Sequence, residues 1–202
     1  MGTKFSTRVW VSVVGIASIF FGSKGYADTV ISVADFGLKP DTRENAVAYV
    51  QKAIEACRGK EPVTLVFPEG RYDFWPQYAH EKNYYETNTY DVFPKRLAML
   101  FEGLHNITVD GNGSQFVMHD RIQPITVENC DGVTLKNFSI DWDIPLTAQA
   151  RVTKVGSDFF EIEINVLESP YIIEDGKLVF VGEGWKSALG SMIEFESDTH
   201  FV

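Results

Sequence analysis

A short strand unit is written twice between Leu104 and Pro145, and this repeat narrows the folds open to the chain. Ile107-Thr108-Val109 runs into the polar turn Asp110-Gly111-Asn112-Gly113. Twenty-six positions later Val133-Thr134-Leu135 repeats the apolar-Thr-apolar pattern, after its own turn at Asp131-Gly132. The same offset carries Phe116 onto Trp142 and Met118 onto Ile144, and a third alternating run, Ile125-Thr126-Val127, lies between the copies. Short strands separated by Gly, Asn and Asp turns, recurring every ~20–30 residues, signal a stacked solenoid rather than a hairpin sheet. The leucine spacing and helical face of a leucine-rich repeat are missing. The expected fold is therefore all-β: a right-handed parallel β-helix with three short strands per coil. Ile107, Val109, Val133 and Leu135 should face its interior, with Thr108 and Thr134 facing out.

The first residues stand apart from this pattern. Lys4 and Arg8 mark a basic start, Val9 to Gly22 is nearly all apolar, and Gly25-Tyr26-Ala27 supplies small residues before Asp28. This is the order of a secretory signal peptide. The apolar run falls short of the ~20 residues of a membrane span, and no Cys follows it to carry a lipid. The expected location is extracytoplasmic, either periplasmic or secreted. Removing residues 1–27 deletes Lys4, Arg8 and Lys24 and no acid, which moves the net charge from −10 to −13. No basic cluster offsets that balance. Nucleic acid and anionic membrane surfaces are poor partners for it, and a neutral ligand suits it better.

The run from Ile31 to Phe74 carries the clearest local signals. Val30 to Val33 is a strand pattern, and Asp41 with Glu44 three positions on has the form of a capping box. Ala46, Val47, Val50, Ala53, Ile54 and Cys57 recur at helical spacing, so a helix is expected over 42–57. Gly59 ends it, and Val63 to Phe67 is the next strand. An amphipathic helix here would cover the first coil, whose backbone groups would otherwise lie open.

Two strings add a resemblance. VADFGLKPDTRENAVAYVQKAIEAC followed by VTLVFPEGRYDF resembles the opening of pectate-lyase-like β-helix proteins, polygalacturonase-type enzymes among them. NYYETNTYDVFPKR and NFSIDWD are more particular and resemble the α-1,3-galactosidases of glycoside hydrolase family 110. These bacterial enzymes remove terminal α-1,3-linked galactose from blood-group-B-type and related glycans, and the similarity runs from about Asp28 onward. The resemblance implies a β-helix with an inserted barrel-like domain and a galactose-terminated glycan as partner. It also implies metal-independent, cofactor-free inverting hydrolysis by a carboxylate pair. It places that pair in coils after the barrel, so no catalytic residue is assigned within 1–202. A homo-oligomer of the full-length enzyme stays open.

Several residues carry chemistry of their own. Eight aromatics fall between Tyr72 and Phe93, Tyr84 and Tyr85 among them. They can wall a glycan site, because sugar C–H faces stack on rings, or they can pack a long loop against the body. Asp141-Trp142-Asp143 puts two carboxylates on one strand face and an aromatic on the other. At i and i+2 they lie ~6–7 Å apart, near the lower limit for an inverting pair. Two carboxyls on one strand still need an opposing group across the bond, so substrate positioning or a turn role fits them better. The substrate-contact candidates are thus Asp141, Trp142, Asp143, Tyr84 and Tyr85. Neither His80 nor His119 has further ligands at zinc spacing, and the default for His119 is a solvated turn. Cys57 and Cys130, on a helix stripe and in a later turn, are poorly placed to pair.

From Ala148 the pattern changes to plain alternation. Gln149–Val155 and Phe159–Ile164 flank the turn Gly156-Ser157-Asp158, and Leu178–Val181 and Met192–Glu196 are further strands. The expected organisation is a leader over 1–27, helix-capped coils over 28–147 and a partial antiparallel barrel-like insert over 148–202. Two other functions compete with glycoside hydrolysis. One is a non-catalytic glycan-binding or surface protein. The other is a polysaccharide lyase, which the acidic charge and the lack of a basic carboxylate-binding cluster disfavour. Expressed in a Gram-negative host, the mature protein should begin at Asp28. An intact Met1 in the extracytoplasmic fraction, read by mass spectrometry, would rule out cleavage.

Overall fold

The computed structural model describes residues 29–84 and 94–196. The leader expected over 1–27 and the candidate Tyr85 lie outside the described residues. Strand β1 (Thr29–Ser32) runs into a 3-10 turn over Val33–Phe36. The capping box forms here: Ser32 Oγ accepts from the Ala34 N–H at 3.2 Å, and the Asp35 carboxylate accepts from the Ser32 N–H at 3.3 Å. At the expected box, Asp41 and Arg43 have φ of 62° and 59°, which no α-helix admits. Helix α1 (Val47–Cys57) therefore starts later than Thr42. Asp41 instead accepts from the Arg71 N–H at 2.9 Å, and Asn45 Oδ1 takes the Val47 N–H at 3.1 Å. The stripe itself is as expected, with Val47, Val50, Ala53, Ile54 and Cys57 all buried. Burying a side chain such as Val50 or Ile54 contributes about 1.5–3 kcal/mol.

One sheet has five strands and is parallel throughout. Strand β2 (Val63–Val66) lies between β1 and the first half of β6 (His105–Met118). Strand β3 (Arg71–Phe74) pairs with the second half of β6. On the other side of β6, β8 (Asp131–Trp142) follows both halves. Ile107 pairs with Val133 and Val109 with Leu135, which is the 26-residue offset. The register then shifts between Asp110 and Ser114, where Asn112 and Gly113 take φ of 50° and 84°. Beyond the shift Phe116 pairs with Ile140 and Met118 with Trp142, so the expected pairing of Phe116 with Trp142 is off by two residues. Gly111 sits at this bend because a Cβ there would lie 2.5 Å from Phe138 Cβ.

The remaining strands form three separate sheets. In one, β4 (His80–Lys82) runs antiparallel to β5 (Lys95–Glu102), which runs parallel to β7 (Gln123–Glu128). Strands β9 (Arg151–Val155) and β10 (Phe160–Glu163) make an antiparallel pair. Strands β11 (Tyr171–Glu174), β12 (Lys177–Gly182) and β13 (Trp185–Ala188) make an antiparallel sheet. These observations correct the expected right-handed parallel β-helix. Among the described residues strand predominates, but only the five-stranded sheet is wholly parallel, and the rest divide into mixed and antiparallel sheets. The repeat did specify parallel register. It did not specify three short strands per turn, because β6 and β8 continue through the polar turns as strands of 14 and 12 residues. The last expected strand, Met192–Glu196, has no strand assignment.

Phe116 sits at the centre of the core. Its ring lies 4.7 Å from those of Phe67 and Phe138, 5.6 Å from Phe74 and 6.3 Å from Tyr72. Ile107 and Val109 are buried, whereas Leu135, on the outer strand β8, is 40% exposed. Both cysteines are unpaired: Cys57 donates to the Ala53 carbonyl, and Cys130 to that of Phe101. Burial pushes the Cys57 thiol up to about 11, which leaves it un-ionised. Replacing Phe116 with Ala should cost about 3–5 kcal/mol, read as a lower urea midpoint at constant m-value.

Candidate functional site

One group of polar residues meets where β3, β6 and β8 end together. Parallel register places Phe74 opposite Met118 and Met118 opposite Trp142, so the residues just beyond are neighbours. Trp75 and His119 stack face to face, with centroids 3.8 Å apart and planes 9° from parallel. His119 is 2% exposed, and both of its ring nitrogens meet carboxylates. Nε2 lies 2.8 Å from Asp73 Oδ1, and Nδ1 lies 2.8 Å from Glu183 Oε1, in the turn between β12 and β13. Ionised carboxylates only accept, so both bonds together require a hydrogen on each ring nitrogen.

Arg71 holds the other side of Asp73. In a strand, residues i and i+2 share a face, which sets Arg71 beside Asp73. Its Nε and Nη2 donate to Asp73 at 3.0 and 2.6 Å, and Nη2 reaches Asp143 Oδ1 at 2.6 Å. Arg43 Nη1 approaches the same Asp143 oxygen at 3.6 Å. Burial alone would raise the Asp73 pKa, but the hydrogen bonds from Arg71 and His119 outweigh it and hold the carboxyl below its usual range. The Asp73 bond is also the largest influence raising the Arg71 pKa.

Asp73, His119 and Asp143 bring ligand-type atoms within 4.8 Å of one another. That spacing alone could hold a cation. Arg71 already sits on both carboxylates, however, and both His119 nitrogens are engaged. A metal ion would have to displace the guanidinium and strip hydrogens from the ring, so the set fits an ion-pair network better than a metal centre.

The candidates from the sequence separate here. Asp143 joins the network through Arg71, and its N–H donates to the Met118 carbonyl at 3.0 Å. Trp142 packs on the core, and its Nε1 donates to the Asp120 carbonyl at 3.2 Å. Asp141 is exposed, and its carboxylate accepts from the Trp142 N–H at 2.8 Å. Tyr84 belongs to another group beside β5 and β7, where its hydroxyl donates to Glu128. Lys82 bridges Glu128 and Glu102 there, at 2.8 Å each. The solvated turn expected at His119 is corrected, because the ring is buried and bonded on both sides. Its partners lie 46 and 64 residues away in sequence, too far for any local motif to show. The available signal was register: once Phe74 is set opposite Met118, Trp75 falls beside His119.

Comparison with known proteins follows the sequence resemblance. Residues 148–202 match the family model described as GLAA-B beta-barrel domain I. The chain is 60% identical over 176 residues to Alpha-1,3-galactosidase B of Bacteroides thetaiotaomicron, covering 87% of this chain and 29% of that protein. It is 36% identical over 169 residues to Alpha-1,3-galactosidase A of Shewanella woodyi, covering 83% of this chain and 28% of the relative. It is also 36% identical over 195 residues to an Alpha-1,3-galactosidase B of Phocaeicola vulgatus, covering 95% and 31%. These similarities are to a glycosidase class. Within it, the chain matches the N-terminal portion of the α-1,3-galactosidases of glycoside hydrolase family 110. It spans a little under a third of the length of these relatives.

The network sets a stability test. Replacing Arg71 with Leu leaves Asp73 buried beside a single partner, and losing one side of a buried pair costs about 3–5 kcal/mol. Because the folded Asp73 pKa lies below the unfolded value of about 3.9, its contribution is full above that value. It is lost as pH falls through the folded pKa. Arg71→Leu should therefore lower the melting temperature at neutral pH and move acid unfolding to higher pH, both readable by circular dichroism. Arg71→Lys keeps the charge but loses the two-pronged geometry, and should fall between.

Proposed function

We propose that this chain is the N-terminal part of an exported glycoside hydrolase that removes terminal α-1,3-linked galactose from glycans by inverting hydrolysis. The observation that carries this reading is the 60% identity, over most of the chain, to a protein named Alpha-1,3-galactosidase B. Export rests on the basic, apolar, small-residue order of the first 27 residues. An inverting enzyme needs one carboxylic acid to protonate the leaving oxygen. It needs a second carboxylate, about 6.5–9.5 Å away, to activate water.

The network residues are poor candidates for either role. The Asp73 side chain is wholly buried under Arg71 and His119, and Asp143 is held by Arg71. Neither is free to trade a proton with a substrate. In this reading Asp143 and Trp142 are positioning residues, and exposed Asp141 is the substrate contact retained at the end of β8. The catalytic pair lies elsewhere in the full-length protein.

The test is galactose release from an α-1,3-galactosyl disaccharide by the full-length protein. The first-formed sugar should be β-galactose by NMR, and the 1–202 chain alone should release none. Asp143→Asn in the full-length protein should lower the melting temperature and keep measurable turnover. Turnover abolished at an unchanged melting temperature would instead place the catalytic pair in this segment.

A further inference from the structure

Beyond residue 147, Val179 and Ser169 are the buried residues among those described, so little apolar burial secures the β11–β13 sheet. Polar contacts do that work at one place, the turn joining β12 to β13. Glu183 accepts from His119 Nδ1 with both oxygens, at 2.8 and 2.9 Å, and from the Asp120 N–H at 3.2 Å. Gly184, at φ 71°, lies so close to Asp120 that a Cβ would approach its Oδ2 to 2.3 Å. The turn is thus seated on the end of β6, with His119 between it and Asp73.

We infer that His119 is a proton-dependent latch, holding the β12–β13 turn on the parallel sheet while doubly protonated and releasing it when one ring proton leaves. The groups facing the ring decide which bond breaks. On the sheet side, Asp73 is fully buried and fixed by Arg71, which is itself tied to Asp143. On the other side, Glu183 is 31% exposed on a turn, and Asp120 flanks it. A neutral imidazole has one N–H. The buried, immobile Asp73 retains it, and the Nδ1 lone pair then faces the Glu183 carboxylate. Two acceptors repel, and Glu183 is the one that can move into water. The latch closes toward acid and opens toward alkali.

The experiment is hydrogen exchange on the whole chain across about pH 5 to 9, where histidine changes charge, corrected for intrinsic rates. Protection of the amides in 177–188 should fall by about tenfold or more as pH rises, while β6 stays protected. The midpoint should coincide with loss of the second His119 ring proton, followed by nitrogen-15 NMR of the histidine rings. Glu183→Gln should abolish the pH dependence, because an amide can accept from an N–H or donate to a bare nitrogen. Turn protection that is flat with pH in the parent, or a midpoint separate from the ring titration, overturns the latch. So does a Glu183→Gln chain with unchanged pH dependence. The parent measurements decide the question even if that variant fails to fold.

Discussion

Strand β6 must satisfy its backbone on both sides at once, and the arrangement of residues 29–147 follows from that demand. An unpaired buried amide or carbonyl costs about as much as a lost hydrogen bond, so a central strand of 14 residues needs neighbours along both edges. One edge is shared between β2 and β3, joined through Pro68-Glu69-Gly70, and the other is covered by β8. Parallel pairing aligns the strand ends, which is why Phe74, Met118 and Trp142 finish level and their successors converge. The aromatic cluster around Phe116 fills the space beneath.

At those aligned ends the chemistry changes from apolar to charged within two residues. Such a boundary is stable only when each charge meets its complement before meeting the core. Asp73 is the deepest acid, and it is matched by Arg71 on one side and His119 on the other. Asp143 and Glu183 then complete Arg71 and His119 from outside. Acids and bases alternate through the network from Asp143 to Glu183. The first and last members come from segments remote in sequence, so one chain of charge spans the β8 end and the β12–β13 turn.

Much of this was legible in the residues, and the gaps have physical causes. The helical stripe from Val47 to Cys57 was legible because burial imposes its period regardless of how the helix begins. The start was not, because Asp41 and Arg43 are bent into the left-handed region, where Asp41 accepts the Arg71 N–H, a contact 30 residues away in sequence. The Val133 repeat gave the parallel register of the first half of β6. It did not give the sheet count, since antiparallel pairing of β4 with β5 rests on contacts no repeat encodes. The Asp141-Trp142-Asp143 alternation placed Trp142 on the face opposite the carboxylates, while the cation that holds Asp143 belongs to β3. The burial of His119 was not legible, because a buried, hydrogen-bonded histidine and a solvated one have the same local sequence.

The slip between Asp110 and Ser114 moves the register by two residues. The buried face also changes parity across this bend: Ile107 and Val109 point into the core before it, and Ser114, Phe116 and Met118 after it. Strand β8 changes in the same way, from Val133 to Phe138 and Trp142, so the two strands re-aim together and Phe116 meets Ile140. For a lineage that gains and loses residues, the bend around Gly111-Asn112-Gly113 is therefore the place where the phase of the strand is set. A single residue gained or lost there, with the bend's geometry kept, carries Phe116 toward the solvent and opens the middle of the core.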